Sequence, residues 1–482
     1  MNCIFWSQMS SRPQTSRPIA CYLLSRWLEA HDYTCQVVEF VHLMLAEELV
    51  ELTEKFISDD TLYIGVSTSM WSESNPEMKR TGTRVDIPAN ISEAIDIVRN
   101  KYSNVKFVVG GATTRTYSES LKKFDYIVDD QYAEDSTLRL TDKLSGKFKL
   151  RKSFDFDTFE FRWKQHDCLH PSKALPIEFS RGCIFKCSFC RDPLTGKKPG
   201  TLERSYELLR DELIRNYEEF GITRYTFICE TFNDDPERVF MMERLAKSLP
   251  FELEYVSWFR LDLIAKNPDT IEAIANSGCK GAFFGIETFH PEAAKAIKKS
   301  YQTSIAKEWL VKLGEVWKGR VLIHTSHIVG LPYEPEESIR DGIEWVANQP
   351  GIHAFSIYGL ILGKGTGLSI FEDRPDLYGF KFGMYKEDGT PNLIHLEQWW
   401  QHDIMDFHYS RKLAGELNRK YYSRNGATIF TLPGKIWTYG KTIEDFTTMR
   451  QRSVVDSSVS NEQWTLEQAY LENYKKMLMA LD

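Results

Sequence analysis

Three absences narrow what this chain of 482 residues can be. It has no run of about 18 apolar residues, so no transmembrane helix is expected. Its first residues lack the basic segment and long apolar stretch of a secretory signal. Its nine cysteines are an odd number, and six of them are scattered. That usage is typical of a reducing cytosol and not of a disulfide framework, so we expect a cytoplasmic protein.

Excess positive charge is also missing. The formal net charge is −8, which argues against a nucleic-acid coat protein but leaves room for a local basic groove. Internal repeats and low-complexity segments are absent as well. Hydrophobic residues make up 42% of the chain, enough for two or three globular domains.

The remaining three cysteines form a compact motif. Cys183, Cys187 and Cys190 have the spacing C-x3-C-x2-C and follow a short strand-like segment, 175–179. Three thiolates on one loop can hold three irons of a cubane cluster and leave the fourth iron open. Structural zinc normally takes four ligands, often from two C-x2-C pairs, and no second pair exists in the sequence. The spacing favours an iron–sulfur cluster, with a zinc site or unrelated thiols as alternatives.

Phe189 completes a C-x3-C-x-aromatic-C pattern, which resembles the defining motif of the radical SAM superfamily. The resemblance extends over roughly residues 172–370. It implies a [4Fe-4S] cluster whose open iron is chelated by S-adenosylmethionine (SAM). It also implies reductive cleavage of SAM to a 5′-deoxyadenosyl radical that abstracts hydrogen, with an electron donor such as flavodoxin or ferredoxin.

Two further residues acquire a role from this resemblance. Glu230 follows a predicted strand, 224–229, where the family holds the amino group of the methionyl part. A carboxylate there can accept hydrogen bonds from an ammonium, although an acidic helix-capping turn is the alternative. Arg260 stands where it can form a fork with the SAM carboxylate, or equally a structural ion pair with Asp262.

Later strand ends continue the pattern. The segment ending in Glu287 resembles the family's Gly-Ile-Glu-Ser ending, where the acid reaches the ribose hydroxyls. Gly330 and Pro332 belong to a Gly-Leu-Pro turn that, by the same resemblance, lies under the adenine. Six strand–helix units predict a partial (β/α)6 barrel with its site at the carboxyl ends of the strands.

Residues 1–145 form a separate α/β pattern. Apolar strands alternate with amphipathic helices, which predicts a doubly wound, Rossmann-like domain. Its ligand loops would be 7–17, 68–90 and 110–117. Such a domain before a radical SAM core resembles a cobalamin-binding domain. The Asp-x-His-x-x-Gly motif of cobalamin mutases is absent, however. A vestigial domain that shapes the substrate pocket is the alternative.

The other two segments are less informative. Residues 146–171 are predicted to be a linker, with a metal site at His166, Cys168 and His170 as the alternative. Residues 371–482 are predicted to form a mainly helical domain. The alternative is a surface on which the aromatic residues of this segment stack on nucleic-acid bases.

The expected function is methylation of an unidentified small-molecule, peptide or nucleotide substrate if cobalamin is bound. Without cobalamin, a radical rearrangement or C–C bond formation is expected. The alternative that is not an enzyme is an iron–sulfur or zinc protein used for binding or sensing.

Overall fold

The computed structural model describes residues 1–7, 17–68, 87–111, 114, 120–130, 132–147, 149–169, 174–362, 369–382, 400–421 and 457–481. Their contacts divide the chain into two compact units, Met1–Pro171 with Glu462–Asp482, and Ser172–Asn461. The sequence boundaries at 145, 171 and 370 stay predictions. His170 and most of the three predicted ligand loops lie outside the described residues. No helix in the described ranges is long and apolar enough to cross a membrane.

The first unit contains a five-stranded parallel sheet with the order β2-β1-β3-β4-β5. Its strands are β1 Asn2–Trp6, β2 Thr34–Val38, β3 Thr61–Ser67, β4 Lys106–Gly110 and β5 Tyr126–Val128. The α-helices of this unit are Ile19–Glu29, Ala46–Glu54, Ala89–Lys101, Glu134–Ser145 and Ser457–Met479, with 3₁₀ turns at Val41–Leu43, Ser120–Lys123 and Gln165–Asp167. The central strands are apolar because helices cover both faces of such a sheet. The predicted Rossmann-like fold is confirmed.

The last helix, Ser457–Met479, packs on the first unit. Leu471, Tyr474 and Leu478 join the core formed by the first sheet and its helices. The backbone N–H of Glu39, just after β2, donates a hydrogen bond to the Tyr474 hydroxyl at 2.8 Å. The end of the chain therefore stabilises its beginning.

The second unit contains a six-stranded parallel sheet in which the strands follow one another in chain order. Its strands are β6 Leu175–Ile177, β7 Arg224–Phe227, β8 Glu254–Phe259, β9 Cys279–Glu287, β10 Leu322–Val329 and β11 Ala354–Gly359. Its α-helices are Tyr206–Phe220, Pro236–Ser248, Leu261–Lys266, Thr270–Asn276, Pro291–Ala296, Ser300–Val316, Glu336–Asn348, Ile370–Asp373 and Phe407–Lys420. A 3₁₀ turn, Pro375–Tyr378, and an antiparallel pair, β12 Lys381–Phe382 with β13 Trp400–Gln401, complete the list. This order confirms the predicted partial (β/α)6 barrel.

Capping fixes both ends of the helix Tyr206–Phe220. The Ser205 hydroxyl accepts a hydrogen bond from the Leu208 N–H, so the helix begins at Tyr206. Gly221, which has a φ of 68°, follows its last residue.

The second sheet has two different faces. Phe284 lies on the face that the helices cover, and its ring stacks on Trp317 with centroids 6.3 Å apart. Phe259, on the same face of β8, is also buried. Trp258 and Phe283 point to the opposite, inner face because side chains alternate along a strand, and both are half-exposed. At Trp258 and Phe283 the inner face is therefore less completely buried than the helix-covered face is at Phe259 and Phe284.

Candidate cofactor site

The predicted site residues follow successive strands of the second sheet. The cysteine loop comes after β6, Glu230 after β7 and Arg260 after β8, and Glu287 ends β9. Gly330 follows β10 directly. The strands are parallel and neighbours in the sheet, so all these positions reach its carboxyl edge.

Backbone hydrogen bonds shape the cysteine loop. The Cys183 carbonyl accepts hydrogen bonds from Gly196 N–H at 2.6 Å and from Lys197 N–H at 3.2 Å. The Cys190 N–H donates to the Cys187 carbonyl at 3.0 Å, which closes the second half of the loop. Gly182 has a φ of 73°, and a Cβ there would approach the Leu194 carbonyl oxygen to 2.6 Å. Only glycine fits at that position.

The three thiols are unpaired and half-buried. Cys183 Sγ lies 3.2 Å from Thr231 Oγ1 and accepts a hydrogen bond from Phe185 N–H at 3.5 Å. Burial is the main cause that raises the pKa of the Cys190 thiol to about 11. Burial thus favours the protonated thiol, whereas iron binding requires the thiolate, because metal ligands must be deprotonated.

Within the described part of the chain, no three His, Cys, Asp or Glu side chains are placed to hold one metal ion. That result concerns a single ion. A cubane cluster gives each thiolate a different iron, so the three sulfurs do not converge on one point. The donor set itself, three soft thiolates on one loop, fits such a cluster.

Arg260 combines an ion pair with a contact to the cysteine loop. Its Nε and Nη2 atoms donate to the two carboxylate oxygens of Asp262, each at 2.9 Å. Its Nη1 donates to Cys187 Sγ at 3.6 Å. The guanidinium also lies 3.6 Å from the centroid of the Phe185 ring. Asp262 thus occupies the fork, and the predicted contact with the SAM carboxylate stays a prediction.

Glu230 lies in an acidic environment. Desolvation by the surrounding protein, followed by the negative charges of Asp192 and Glu178, raises the pKa of Glu230 to about 7, although the residue as a whole is exposed. The alternative role, capping of the helix Pro236–Ser248, belongs to Asp235, whose carboxylate accepts the Glu237 N–H at 2.9 Å. Glu230 is therefore available for a cation.

Glu287 ends β9 in a strained backbone conformation with a φ of 68°. Its carboxylate is buried and accepts a hydrogen bond from Lys299 Nζ at 2.9 Å. The same ammonium donates to the Gly285 carbonyl at 2.8 Å, and Gln302 Nε2 donates there at 2.7 Å. Any side chain at Gly285 would collide with the Glu287 carboxylate. The predicted ribose contact of Glu287 stays a prediction, and Lys299 is its partner in this structure.

Phe189 connects the cysteine loop to this pair. The Lys299 ammonium lies 5.7 Å from the centroid of the Phe189 ring. The ring packs against a core cluster that includes Leu331 and Trp400. Phe189 therefore positions the loop, and its direct contact with the cofactor stays a prediction.

The predicted adenine turn is a crowded part of the site. Gly330 has a φ of 99°, and a Cβ there would approach Trp400 Cη2, which requires glycine. The Gly330 carbonyl lies 3.2 Å from His402 Nε2. Pro332 is buried two residues later.

Three contacts of the site carried no usable sequence signal. Thr231 contacts Cys183, Phe185 packs under the Arg260 guanidinium, and Lys299 pairs with Glu287. Thr231 and Cys183 are 48 positions apart and Lys299 and Glu287 are 12 apart, and neither spacing nor composition indicates such pairs. Lys298 stands next to Lys299, so the sequence alone does not show which of the two lysines pairs with Glu287.

The first unit has its own carboxyl edge. Ser7 follows β1, Thr68 follows β3, and Gly111 follows β4. The Thr68 hydroxyl donates to the Gly110 carbonyl at 3.2 Å. Ser7 and Thr68 are fully buried, and Gly111 has a φ of 127°. Small residues therefore stand at this edge, which is where a doubly wound sheet binds its ligand.

A buried charged cluster lies beside that edge. Arg17 pairs with Glu39, which follows β2, and both side chains are buried. The Arg17 Nη1 atom donates to the Asp167 carbonyl at 2.6 Å. The Tyr22 hydroxyl donates to Glu39 Oε2 at 2.9 Å. No local sequence pattern indicates this cluster, because its members lie in separate segments.

Comparison with known proteins decides the family of the second unit. Residues 177–346 match the radical SAM superfamily. Residues 177–346 of the second unit are a radical SAM domain. Among curated proteins, the bacteriochlorophyllide d C-12(1)-methyltransferase of Chlorobaculum tepidum is 23% identical over 208 residues, which are 42% of this chain and 43% of that protein. The match thus spans less than half of the relative.

Solved structures extend the likeness to both units. The radical SAM methyltransferase TsrM from Kitasatospora setae, with tryptophan and a SAM analogue bound, is 14% identical. The match covers 93% of this chain and 98% of TsrM, with a TM-score of 0.66. The cobalamin-dependent radical SAM enzyme OxsB is 13% identical over 99% of this chain and 80% of OxsB, with a TM-score of 0.59. At these identities the likeness shows a shared fold.

Proposed function

We propose that this radical SAM protein reductively cleaves SAM at a [4Fe-4S] cluster and transfers a methyl group to an unidentified substrate. The three unpaired cysteines on one loop, at the carboxyl edge of the barrel, carry the proposal. When bound, the reduced cluster supplies the electron that breaks the sulfonium of SAM and so produces the 5′-deoxyadenosyl radical.

Residues around the loop take the remaining roles. Cys183, Cys187 and Cys190 ligate iron, and Glu230 accepts the ammonium of SAM. Arg260 Nη1, which lies outside the fork with Asp262, serves the SAM carboxylate.

The far end of SAM is assigned to the next two strand ends. Glu287, oriented by Lys299, binds the ribose hydroxyls. The backbone of Gly330 and Pro332 supports the adenine. Barrel walls around these groups exclude water from a reactive carbon radical.

Methyl transfer is assigned to cobalamin in the first unit. TsrM and OxsB, which share the fold of the chain, are described with cobalamin bound, and TsrM also with a [4Fe-4S] cluster. Ser7, Thr68 and Gly111 follow strands of the first sheet at its carboxyl edge, where such a ligand would bind. An electron donor such as flavodoxin or ferredoxin would reduce the cluster. All nine cysteines are unpaired, which suits the cytoplasm.

The cluster assignment is tested with Cys187→Ala. Anaerobic reconstitution with iron, sulfide and hydroxocobalamin should give about four irons per wild-type chain. Dithionite and SAM should then yield 5′-deoxyadenosine. Cys187→Ala should lose the cluster absorbance and SAM cleavage. Cys279 is a buried cysteine at the start of β9, and the control variant Cys279→Ala should keep both. SAM cleavage by Cys187→Ala would contradict the assignment.

The cobalamin assignment has a separate readout. Cobalt should remain bound after gel filtration of the reconstituted protein. Gly111→Val should lower the cobalt content and leave the iron content unchanged, because a side chain at a φ of 127° distorts the carboxyl edge of the first sheet. Gly146→Val, at a helix end with a φ of 71° and nothing within 4 Å of a Cβ, is the matched control. Iron without cobalt in the wild type would remove cobalamin from the proposal.

A further inference from the structure

A groove in the first unit carries an excess of positive charge. It lies between the helix Glu134–Ser145 and the residues that follow it, 147 and 149–153, and its volume is about 430 Å³. The charged side chains that line it are six cations and two acids, namely Arg139, Lys143, Lys147, Lys149, Arg151 and Lys152 with Asp135 and Asp142. We propose that this basic groove binds a small organic molecule that carries two phosphate groups.

Two hydrogen bonds fix the ends of the basic groove. The Lys147 N–H donates to the Asp142 carbonyl at 2.9 Å, and the Phe154 N–H donates to the Asp135 carboxylate at 2.8 Å. Asp135 and Asp142 are seven positions apart on the helix, so the groove is about 10 Å long. Leu150 on the opposite wall is fully exposed and adds an apolar surface. The volume lies in the range of small-molecule sites, about 300–1,000 Å³.

The two acidic groups of the lining are already engaged. The Asp142 carboxylate accepts hydrogen bonds from Arg151 Nε and Nη2 at 3.0 and 2.9 Å and from the Tyr33 hydroxyl at 2.7 Å. Asp135 is occupied by the Phe154 N–H. Among the residues that the structure describes, no carboxylate lies at salt-bridge distance from the other exposed cations of the lining, Arg139, Lys143, Lys149 and Lys152.

These four cations stand on both walls of the basic groove. Arg139 and Lys143 are one turn apart and project from the same side of the helix. Lys149 and Lys152 belong to the opposite wall. A helix C-terminus attracts nearby cations, which explains Lys143 but not the other three. An anion between the walls would neutralise positive charge on both.

Charge balance favours two phosphate groups. Six positive and two negative side chains leave the lining with a charge of +4, although the whole chain carries −8. A phosphate monoester carries about −1.5 to −2 at pH 7, so two of them match the lining. A longer nucleic acid would extend beyond a groove of about 10 Å and meet a chain that is acidic elsewhere. A small ligand is therefore favoured over a polymer.

The basic groove is separate from the edge assigned to cobalamin. Tyr33, which immediately precedes β2, donates to Asp142, and Lys147 Nζ donates to the Asp32 carbonyl at 3.3 Å. Residues just before a strand of a parallel sheet lie at its amino edge, whereas a doubly wound sheet binds its ligand at the carboxyl edge. The groove thus reaches the edge opposite the proposed cobalamin site.

Fructose 1,6-bisphosphate, fructose 6-phosphate and fructose test the proposal, because they share one body and carry two, one and no phosphate groups. Binding to the reconstituted protein is measured by ligand-observed NMR titration. Affinity should fall by about tenfold or more at each step down this series. The affinity for the bisphosphate should also fall as the salt concentration rises, because its partners are exposed charges.

Variants of the two walls locate the site. Lys149→Gln/Lys152→Gln removes the free cations of one wall, and Arg139→Gln/Lys143→Gln removes those of the helix. Each double variant should bind the bisphosphate roughly 10- to 30-fold more weakly than the wild type. All four side chains are exposed, so an unchanged Tm shows that a variant is folded.

Lys312→Gln/Lys318→Gln, which removes two exposed lysines of the second unit, is the matched control and should keep the wild-type affinity. No bisphosphate binding by the wild type, equal affinity for fructose, or wild-type affinity in both groove variants would overturn the inference. Tighter binding of a short single-stranded RNA that both groove variants weaken would also overturn it, because the groove would then serve a nucleic acid. The titrations require neither SAM cleavage nor cobalt, so they leave the proposed function untouched.

Discussion

Replacement of Arg260 by methionine tests whether its ion pair with Asp262 organises the site. The side chains of Arg260 and Asp262 are 8% and 6% exposed. Methionine keeps much of the side-chain length but removes all donors, so the Asp262 carboxylate would remain buried without its partner. We expect the variant to lose stability and to leave Cys187 without the Nη1 contact.

The magnitude follows from burial. Two unit charges about 4 Å apart attract by roughly 4 kcal/mol at an effective dielectric constant of about 20. Removal of one partner from a buried pair typically costs about 3–5 kcal/mol, whereas an exposed pair contributes about 0–1 kcal/mol. For a unit of this size, such a loss lowers Tm by roughly 10 °C. The double variant Arg260→Met with Asp262→Leu should regain most of the loss, since no lone charge remains.

Scanning calorimetry of the iron-free protein measures the effect without a contribution from cluster loss. Arg244→Met is the matched control, because its pair with Glu237 has side chains 59% and 68% exposed. A Tm shift for Arg260→Met no larger than that for Arg244→Met would refute the reasoning. A double variant no more stable than Arg260→Met would refute the role of the unpaired carboxylate.

Three more predictions concern single residues. Burial raises the pKa of Glu334 to about 8, so the carboxyl group of the folded protein holds a proton at neutral pH. Its stabilising contribution should therefore be lost as pH rises from about 5 through about 8. Glu334→Gln should flatten the decline of Tm with pH over this range, and an unchanged decline would contradict the prediction. The pKa of Glu230 is raised to about 7, so SAM affinity should fall as pH drops below that value. Glu230→Gln should weaken SAM binding about 10- to 100-fold in calorimetric titrations and remove the pH dependence, and wild-type affinity in this variant would exclude the ammonium contact. Arg17→Met should destabilise the first unit by about 3–5 kcal/mol in chemical unfolding, with recovery in Arg17→Met/Glu39→Leu; a loss below about 1 kcal/mol would place the pair among weak surface contacts.

Sequence pattern was sufficient for features that depend on local order. Strand ends in a parallel barrel meet at one edge, so the positions of Glu230, Glu287 and Gly330 could be predicted once the strands were found. The spacing of the three cysteines favoured an iron–sulfur cluster, and this assignment of the three residues stays a prediction. These features require only alternation, motif spacing and chain order.

Features that depend on tertiary packing could not be predicted. The helix Glu134–Ser145 was missed because its sequence is mostly polar. Sequence left Arg260 undecided between SAM and Asp262, and only the packed structure shows the bidentate pair. Packing of the last helix on the first unit joins Tyr474 to Glu39 across 435 positions, which no local pattern indicates.

The central claim is an iron–sulfur cluster with one iron open to SAM. Electron paramagnetic resonance of the dithionite-reduced protein, recorded with and without SAM, tests it most directly. The wild type should give a signal of a reduced [4Fe-4S] cluster that changes on addition of SAM and is absent in Cys187→Ala. A cluster signal that SAM leaves unchanged, or one that persists in Cys187→Ala, would contradict an open iron held by these cysteines.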